Sequence, residues 1–403
     1  MSYPAPFTNG TISGCSHSGR PCRQKQIGQN EPAVMTSNPI VPDPNRYTPM
    51  LKKSRYIALF SIFLLIGCRD NPNKHQNHFK EYDITCRSYE TELYGRFPYL
   101  LTVDSLLISV AAEGSGGRIG RIYSIDDKPQ EIGAFGRIGR GPLEFVHPEP
   151  TAAAGTRFLI RNLNCREVAM MEIVKMHDSI RVEEIDRMKF KPVRHDGIDW
   201  EPAHFALVGN DRIVAVSYGG KGAFFSLYDT KMTPQGTFGD PLIDEEISAS
   251  ERRRCLNGSL AVDGNDFCYV PNDIPRIAYY RMIDGSPQEL WRDTFYESYY
   301  TVEGKQVRYN QTRTVGITHR VAMGGNYIYI LFLDVPIAKA NISHTETFAA
   351  DIVFVYDRKG YKVARLNLNQ RIYSMALSTD QKRLYGVVYP DNRLVAFDLP
   401  EFD

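Results

Sequence analysis

Short apolar runs separated by polar turns recur along most of the chain, at intervals of 51–60 residues. In each unit an apolar segment leads into a turn of Gly, Asn or other polar residues, and a second apolar segment follows. Gly, Asn and Asp favour hairpin turns because they tolerate a positive φ. The six turns are centred on Asp104, Gly155, Asn210, Asn265, Gly325 and Gln381. The pattern therefore predicts an antiparallel hairpin at the start of each of six repeats.

Each hairpin is followed by two more apolar segments, so the repeating unit contains four predicted strands. The third segments lie at 120–125, 168–174, 224–228, 277–282, 352–356 and 394–397, and the fourth at 130–135, 180–185, 235–238, 288–291 and 362–366. The sixth unit has no fourth segment, whereas an unmatched strand-like segment, 81–86, precedes the first unit. This arrangement is typical of an all-β, six-bladed β-propeller whose last blade is completed by an N-terminal strand.

Two other architectures fit the pattern less well. A pair of β-sandwiches predicts no shared period and leaves the missing last strand unexplained. A helical solenoid needs runs of helical period, which are scarce here; the best helix candidate is 245–254. Composition also favours strands, since the chain has 24 Tyr and 20 Phe but only 2 Trp. A formal net charge of +1 argues against a dedicated nucleic-acid-binding protein.

The first 78 residues differ from the repeats. Residues 1–49 contain 8 of the 24 Pro residues and no apolar periodicity, which predicts an unstructured leader or an incorrectly assigned start. A basic segment, 50–55, and an apolar run, 56–66, then form a signal-peptide pattern that is too short to span a membrane. We therefore expect a lipoprotein signal peptide at 50–68, a polar tether at 69–78 and the propeller at 79–403.

Two motifs connect the chain to a known family. Leu65-Ile66-Gly67-Cys68 resembles a bacterial lipobox, in which the Cys becomes the lipidated first residue of the mature chain. The segment FGRIGRGPLEF at 135–145 resembles the G-x-x-G-x-G-P-x-E-F loop of TolB-like six-bladed β-propeller lipoproteins from Gram-negative bacteria. The resemblance implies a propeller in the cell envelope and brings no catalytic residues with it. We expect a lipid anchor at Cys68, and an outer-membrane location.

Common catalytic and cofactor motifs are missing from the sequence. The segment GSGGRIG at 114–120 differs from a dinucleotide fingerprint by one position and lies between predicted strands. The chain has no Walker loop, G-x-S-x-G or H-E-x-x-H motif. Four Cys residues after Cys68 follow no zinc spacing and either form a disulfide or remain free thiols: Cys86, Cys165, Cys255 and Cys268. We therefore expect no catalytic residue, no cofactor and no metal.

One end of the predicted blades collects most of the unusual residues. In an antiparallel four-stranded blade the first-to-second turns share one end, here called the turn end. The second-to-third loops and the connections between blades share the opposite end, here called the loop end. Arg and Tyr are enriched at binding hot spots, and long loops on a rigid scaffold often carry function. The candidate binding residues are Arg137, Arg140, Glu144, His147, Trp200, Tyr299 and Tyr300.

Two functions fit these observations. The first is a membrane-tethered binding or scaffold propeller for an envelope protein or an extracellular ligand. The second is a propeller hydrolase or lyase that acts on an envelope or nutrient substrate. An enzyme is expected to direct carboxylates or His side chains inward from three or more blades, whereas a scaffold is expected to have a plugged or apolar channel. The side chains of Arg137 and Arg140 either hold Glu144 as a clasp or face a ligand.

Overall fold

The computed structural model describes residues 79–402, except for 96, 112–114, 126–127, 152–153, 164, 178, 196, 314, 337 and 340–347. The predicted leader, signal peptide, tether and Cys68 therefore lie outside the described residues. Nearly all regular structure in the described part of the chain is β-strand, with one α-helix and one turn of 3₁₀ helix at Ser115–Gly117.

Two strands precede the first sheet: β1 (Lys80–Ile84) and β2 (Cys86–Glu92). β2 pairs antiparallel with the last strand of the chain, with Cys86 opposite Phe397. β1 pairs in parallel with residues 364–368 instead. An N-terminal strand therefore does pair with the C-terminal strand, but the predicted segment 81–86 contributes only its final residue to that strand.

The first half of the chain forms two separate sheets of four antiparallel strands, each followed by a small strand pair. The first sheet contains β3 (Tyr99–Val103), β4 (Leu106–Val110), β5 (Gly120–Ser124) and β6 (Gln130–Phe135), and is followed by the parallel pair β7 (Arg137–Ile138) and β8 (Glu144–Phe145). The second contains β9 (Pro148–Pro150), β10 (Arg157–Asn162), β11 (Glu167–Met176) and β12 (Ser179–Lys189), and is followed by the hairpin β13 (Val193–His195) and β14 (Ile198–Trp200).

Two further four-stranded antiparallel sheets follow. The third sheet contains β15 (Ala203–Val208), β16 (Arg212–Val216), β17 (Phe225–Asp229) and β18 (Pro234–Phe238), and helix α1 (Ala249–Cys255) comes after it. The fourth contains β19 (Gly258–Asp263), β20 (Asp266–Pro271), β21 (Arg276–Ile283) and β22 (Ser286–Thr294), and is followed by the hairpin β23 (Tyr300–Glu303) and β24 (Gln306–Tyr309).

The remaining strands form one eight-stranded sheet that also includes β1 and β2. Its other members are β25 (Val315–Gly324), β26 (Tyr327–Pro336), β27 (Ala350–Asp357), β28 (Lys362–Leu377), β29 (Arg383–Val388) and β30 (Arg393–Asp398). β28 has 16 residues, and residues 362–367 pair with β27 while 372–377 pair with β29. The sequence predicts two separate strands here, but one uninterrupted strand serves both sets of neighbours.

Apolar clusters fill the space between neighbouring sheets. Ile108 of the first sheet packs in one cluster with Phe158 of the second, and Leu159 packs in another with Phe205 of the third. At the far end of the chain, Leu107 of the first sheet shares a cluster with Val387 of β29. The backbone N–H of Leu100 also donates to Ser374 Oγ at 2.8 Å. The first sheet therefore packs against the last strands of the chain, and the fold is an all-β β-propeller.

The local predictions agree closely with the observed elements. All six predicted turns lie between strands, at β3–β4, β9–β10, β15–β16, β19–β20, β25–β26 and β28–β29. The helix starts later than the predicted 245–254, because Ser248 is its N-cap and accepts a hydrogen bond from the Glu251 N–H at 3.3 Å. The four Cys residues that follow Cys68 are free thiols.

Candidate binding site at the loop end of the central cavity

A cavity of about 500 Å³ lies where the first strands of the sheets meet. Its wall is formed by β3, β9, β15, β19, β25 and the second half of β28. Five wall residues lie five or six positions before the first five turns, at the loop end of the cavity: Tyr99, Glu149, His204, Ser259 and Arg320. We call these five residues the loop-end rim. At the turn end, Asp104 and Asp263 also line the cavity, but they form ion pairs with Lys175 and Arg358.

His204 occupies an unusual backbone position on β15. Its φ is 49°, in the left-handed region that non-Gly residues rarely adopt. The pairing of β15 with β16 shifts register between Ala203 and Ala206, so His204 lies in a β-bulge. Bulges and strained backbone are over-represented next to functional sites, where they redirect a side chain. In this protein the residue in the bulge, His204, lies on the cavity wall.

Asn257 fixes the tautomer of this imidazole. His204 Nε2 lies 2.7 Å from Asn257 Oδ1, and the Tyr218 hydroxyl donates to the same oxygen at 2.8 Å. A carboxamide oxygen accepts hydrogen bonds but cannot donate one, so Nε2 carries the proton. The Nδ1 atom of His204 is then left with a lone pair.

Glu149 and Arg161 form the charged pair next to His204. The two residues lie opposite each other on β9 and β10, and Arg161 Nη1 is 3.4 Å from Glu149 Oε2. Arg161 is only 7% exposed, and its guanidinium lies about 6 Å from the ring centres of Phe190 and Phe205. Glu149 therefore presents a carboxylate to the cavity while a buried cation behind it offsets the charge.

The surroundings of His204 keep its imidazole neutral. Enclosure by the cavity wall lowers the pKa of His204, and the positive charges of Arg161 and Arg320 act in the same direction. Glu149 and the hydrogen bond to Asn257 oppose that change but do not reverse it. At neutral pH the loop-end rim therefore contains a neutral hydrogen-bond acceptor beside a carboxylate.

Arg320 contributes to the rim from β25. Its guanidinium carbon is 4.5 Å from the centre of the Tyr99 ring, a cation–π distance. Tyr373 lies nearby on β28; burial raises its pKa, and the charge of Arg320 opposes the increase. Residues from separate sheets thus come together at the loop-end rim.

The Gly-rich loop at 135–145 is held in a different way from the predicted clasp. Glu144 Oε2 accepts hydrogen bonds from the backbone N–H groups of Arg140 and Gly141, at 3.0 and 2.8 Å. The arginine side chains do not hold Glu144, so the clasp hypothesis for Arg137 and Arg140 is wrong. A Cβ at Gly139 would lie 2.2 Å from Glu144 Oε2, which explains why Gly is needed at that position.

A residue pair on β12 fixes this loop to the second sheet. Glu184 accepts a hydrogen bond from the Leu143 N–H at 2.8 Å and forms two hydrogen bonds of 2.7 Å with Arg187. Arg187 also donates to the Glu144 carbonyl at 3.0 Å and stacks over Phe145 at 4.8 Å. The sequence did not reveal this pair, because both residues look like ordinary charged positions on an outer strand.

None of the seven predicted candidates lines the central cavity. Arg137, Arg140 and His147 are exposed. Trp200 is buried at 8% exposure, with Arg253 stacked on it at 5.6 Å. Glu144 is occupied within its own loop, as described above. The seven residues thus lie in three separate segments of the chain, at 137–147, at Trp200 and at 299–300.

The remaining two candidates, Tyr299 and Tyr300, lie at the hairpin of β23 and β24. Tyr299 is 38% exposed, its hydroxyl donates to Glu297, and Arg313 lies over its ring. The Tyr300 hydroxyl donates to Glu245 at 3.3 Å, and burial raises the pKa of Tyr300 to about 12. Only Tyr299 of this pair has a large part of its ring in solvent.

His204 was missed from the sequence because no local motif surrounds it. A signal did exist: when the first five repeats are superposed on their turns, Tyr99, Glu149, His204, Ser259 and Arg320 fall within one position of each other. Within the described residues, no group of three or more His, Cys, Asp or Glu is arranged to hold a metal ion. Nor does that part of the chain contain a helix long and apolar enough to cross a membrane.

No family model and no curated protein match this chain. Similar solved structures include a protein from Lactobacillus plantarum, with 12% identity over 76% of this chain and 82% of that one and a TM-score of 0.41. BamB from Moraxella catarrhalis has 14% identity, coverage of 74% and 71%, and a TM-score of 0.33. The β-propeller domain of Cps50 (Swd1) from Myceliophteria thermophila has 10% identity, coverage of 78% and 100%, and a TM-score of 0.43. The fold assignment therefore rests on the strand order and packing of this chain itself.

Proposed function

We propose that this chain is a six-bladed, TolB-like propeller lipoprotein of the cell envelope that acts as a binding module. The blade count is supported by six apolar clusters, each of which joins two neighbouring groups of four strands. In this interpretation the eight-stranded sheet is two blades that share β28, and β2 is the outer strand of the last blade.

The lipid anchor at Cys68 and an outer-membrane location are proposals supported by the lipobox and the signal-peptide pattern. The intact mass of the protein purified from the membrane fraction tests them. We expect a mature chain that starts at a diacyl- or triacyl-modified Cys68. A membrane-fraction chain that retains residues 50–67 would contradict the anchor, and detection of peptides from residues 1–49 in cells would contradict the start at Met50.

The observation that supports a binding function is the loop-end rim. Polar side chains from separate sheets meet there around a cavity of about 500 Å³, a size suited to a small ligand or to the tip of a partner. Because Glu149, His204 and Arg320 line the cavity, it is not the plugged or apolar channel expected of a scaffold, and this favours a module that binds its ligand or partner at the cavity. At the turn end, by contrast, the carboxylates that line the cavity are already paired.

Site-specific photo-crosslinking in cells tests which end binds. A photoreactive phenylalanine replaces Tyr299 at the loop end or, as a matched control, Tyr361 at the turn end; the two rings are 38% and 48% exposed. We expect a discrete crosslinked partner from position 299 and none from position 361. Equal crosslinking from both positions, or from neither, would contradict a loop-end binding surface.

A propeller hydrolase or lyase remains the second candidate, because His204 is a neutral imidazole beside the Glu149 carboxylate. Such a pair suits general-base chemistry. However, these two residues come from two sheets rather than the three or more expected of an enzyme. Assays with p-nitrophenyl esters and glycosides test the hydrolase: release of nitrophenolate that His204→Asn abolishes supports hydrolysis at this site, and no release counts against an esterase or glycosidase.

A further inference from the structure

Two hydrogen-bond acceptors at the loop-end rim have unused capacity. His204 Nε2 is bonded to Asn257, and within the described residues Nδ1 has no donor. Glu149 receives one long contact of 3.4 Å from Arg161, on Oε2 only. Acceptors on the wall of an open cavity bond to water or to a ligand, so these two groups are available to a ligand that donates hydrogen bonds.

The charges around these acceptors favour an uncharged donor. Arg161 offsets the charge of Glu149 from behind, His204 is neutral, and the guanidinium of Arg320 lies against the Tyr99 ring. A phosphate or carboxylate offers acceptors where the protein already has acceptors. An ammonium group gains little from a carboxylate that is already paired. Hydroxyl groups, which donate without net charge, fit the lone pairs of His204 and Glu149 best.

An aromatic cluster lies beside the rim at the same end of the cavity. Phe97, Phe348 and Tyr389 have ring centres 5.6, 5.8 and 6.4 Å apart, with interplanar angles of 5–28°. In a single stack of three rings, the two outer ring centres would be about twice as far apart as neighbouring ones. The three centre-to-centre distances are similar instead, so the rings do not form a single stack. Phe348 is 41% exposed, which leaves part of this surface open to solvent.

Tyr373 connects the aromatic cluster to the rim. Its ring meets Phe97 and Tyr389 edge-on, at 6.0 and 6.4 Å. It is also close enough to Arg320 and Tyr99 for both to influence its pKa, which burial raises. The aromatic cluster and the two hydrogen-bond acceptors therefore lie at the same end of the propeller, with the acceptors on the cavity wall and the cluster outside it.

We propose that the loop end of the cavity binds a neutral oligosaccharide, whose hydroxyls donate to His204 Nδ1 and Glu149 and whose ring C–H face covers Phe97, Phe348 and Tyr389. A sugar ring combines an apolar C–H face with hydroxyl donors around its edge. The aromatic rings suit the C–H face, and His204 and Glu149 suit the hydroxyl groups. The assignment deepens the proposed binding function and rests on it.

Isothermal titration of the full chain with unbranched tetrasaccharides tests the proposal. The probes are neutral tetramers of glucose, xylose, mannose and galactose, with tetragalacturonate as the charged comparison. We expect at least one neutral tetramer to bind more tightly than tetragalacturonate. Phe348→Ala and His204→Asn should each weaken that binding at least tenfold, and Tyr361→Ala, which removes a similarly exposed ring at the turn end, should change it less than twofold.

Three results would overturn the proposal: no binding of any neutral tetramer, tighter binding of tetragalacturonate, or equal binding by Phe348→Ala, His204→Asn and wild type. His204→Asn keeps a residue that tolerates the left-handed φ, so its backbone can stay in place. Phe348→Ala changes an exposed ring and provides an independent test if His204→Asn is unstable. If position 299 crosslinks a partner but no tetramer binds, the proposed binding function holds and the oligosaccharide proposal is wrong.

Discussion

Asp273 is a carboxyl group that folding places in an unfavourable environment. It lies in the loop between β20 and β21, where burial raises its pKa to about 6 against the opposing charge of Arg254. The folded state therefore binds this proton more tightly than the unfolded chain does. Its contribution to stability is fully present below about pH 4 and is lost as the pH rises through about 6.

Replacing this carboxyl with an amide should stabilise the protein at neutral pH. We expect Asp273→Asn to raise the free energy of unfolding by about 1–3 kcal/mol at pH 7.5, since each pKa unit corresponds to about 1.4 kcal/mol. At pH 4 the variant and wild type should agree within about 0.5 kcal/mol. Urea unfolding at both pH values measures the difference, with Glu303→Gln as an exposed control. Equal effects at pH 4 and pH 7.5 would rule out ionisation of Asp273 as the cause.

His204 should influence stability with the opposite sign. Because its pKa in the folded state is lowered, the unfolded chain binds the proton more readily, and stability is lost as the pH falls below about 6.5. Glu149, Arg161, Arg320 and Tyr218 surround the imidazole and set the size of the effect. We expect His204→Asn to reduce the loss of thermal stability between pH 7 and pH 5, measured by calorimetry; an unchanged slope would contradict a neutral, enclosed His204.

At the scale of elements, the Gly-rich loop depends on the second sheet rather than on its own arginines. Arg187 is part-buried and connects Glu184, the Glu144 carbonyl and the Phe145 ring. We expect Arg187→Ala to lower the free energy of unfolding by about 2–3 kcal/mol, because it leaves a part-buried carboxylate without its cation. Arg137→Ala, the matched control on an exposed side chain, should change it by less than about 0.5 kcal/mol. Denaturant unfolding measures the free energy of unfolding of both variants. Similar decreases for Arg187→Ala and Arg137→Ala would show that Arg137 also has a structural role.

The repeats were predictable because hairpin turns have a local chemical signature. Gly, Asn and Asp mark the turns, and apolar runs mark the strands between them, so the positions of most blade strands followed from the sequence. The hairpins β13–β14 and β23–β24 were missed, because their few residues alternate without a long apolar run. The continuity of β28 was also missed, since the polar stretch from Asn367 to Arg371 looks like a break between two strands.

At the scale of the whole molecule, the two N-terminal strands have separate roles. β2 pairs with β30 at the edge of the last sheet, whereas β1 pairs with β28. A chain that begins at Leu93 should therefore leave β30 as an open edge and aggregate during size-exclusion chromatography. A chain that begins at Cys86 should stay monomeric with a lower melting temperature. A monomeric, cooperatively unfolding chain that begins at Leu93 would show that β2 is not needed for closure.

The candidate site was far less predictable than the fold. Each rim residue is one polar position in a different repeat, and the residues meet only because the first strands surround one cavity. The sequence pointed instead to conspicuous loop residues, such as Trp200 and Glu144, which serve internal packing and hydrogen bonding. Local patterns encode turns and strands, whereas a site assembled from five repeats depends on the closure of the ring.

The parallel pairing of β1 with β28 has a mechanical consequence. When a force on the N-terminal end of β1 is directed along the strand, the hydrogen bonds between Lys80–Ile84 and residues 364–368 are loaded together in shear. Shear is resisted by all of these bonds at once, whereas peeling would break them one at a time. β28 is in turn bonded to both β27 and β29, so the load passes into two sets of strands. β28, with 16 residues, thus takes up this force where β1 joins the propeller.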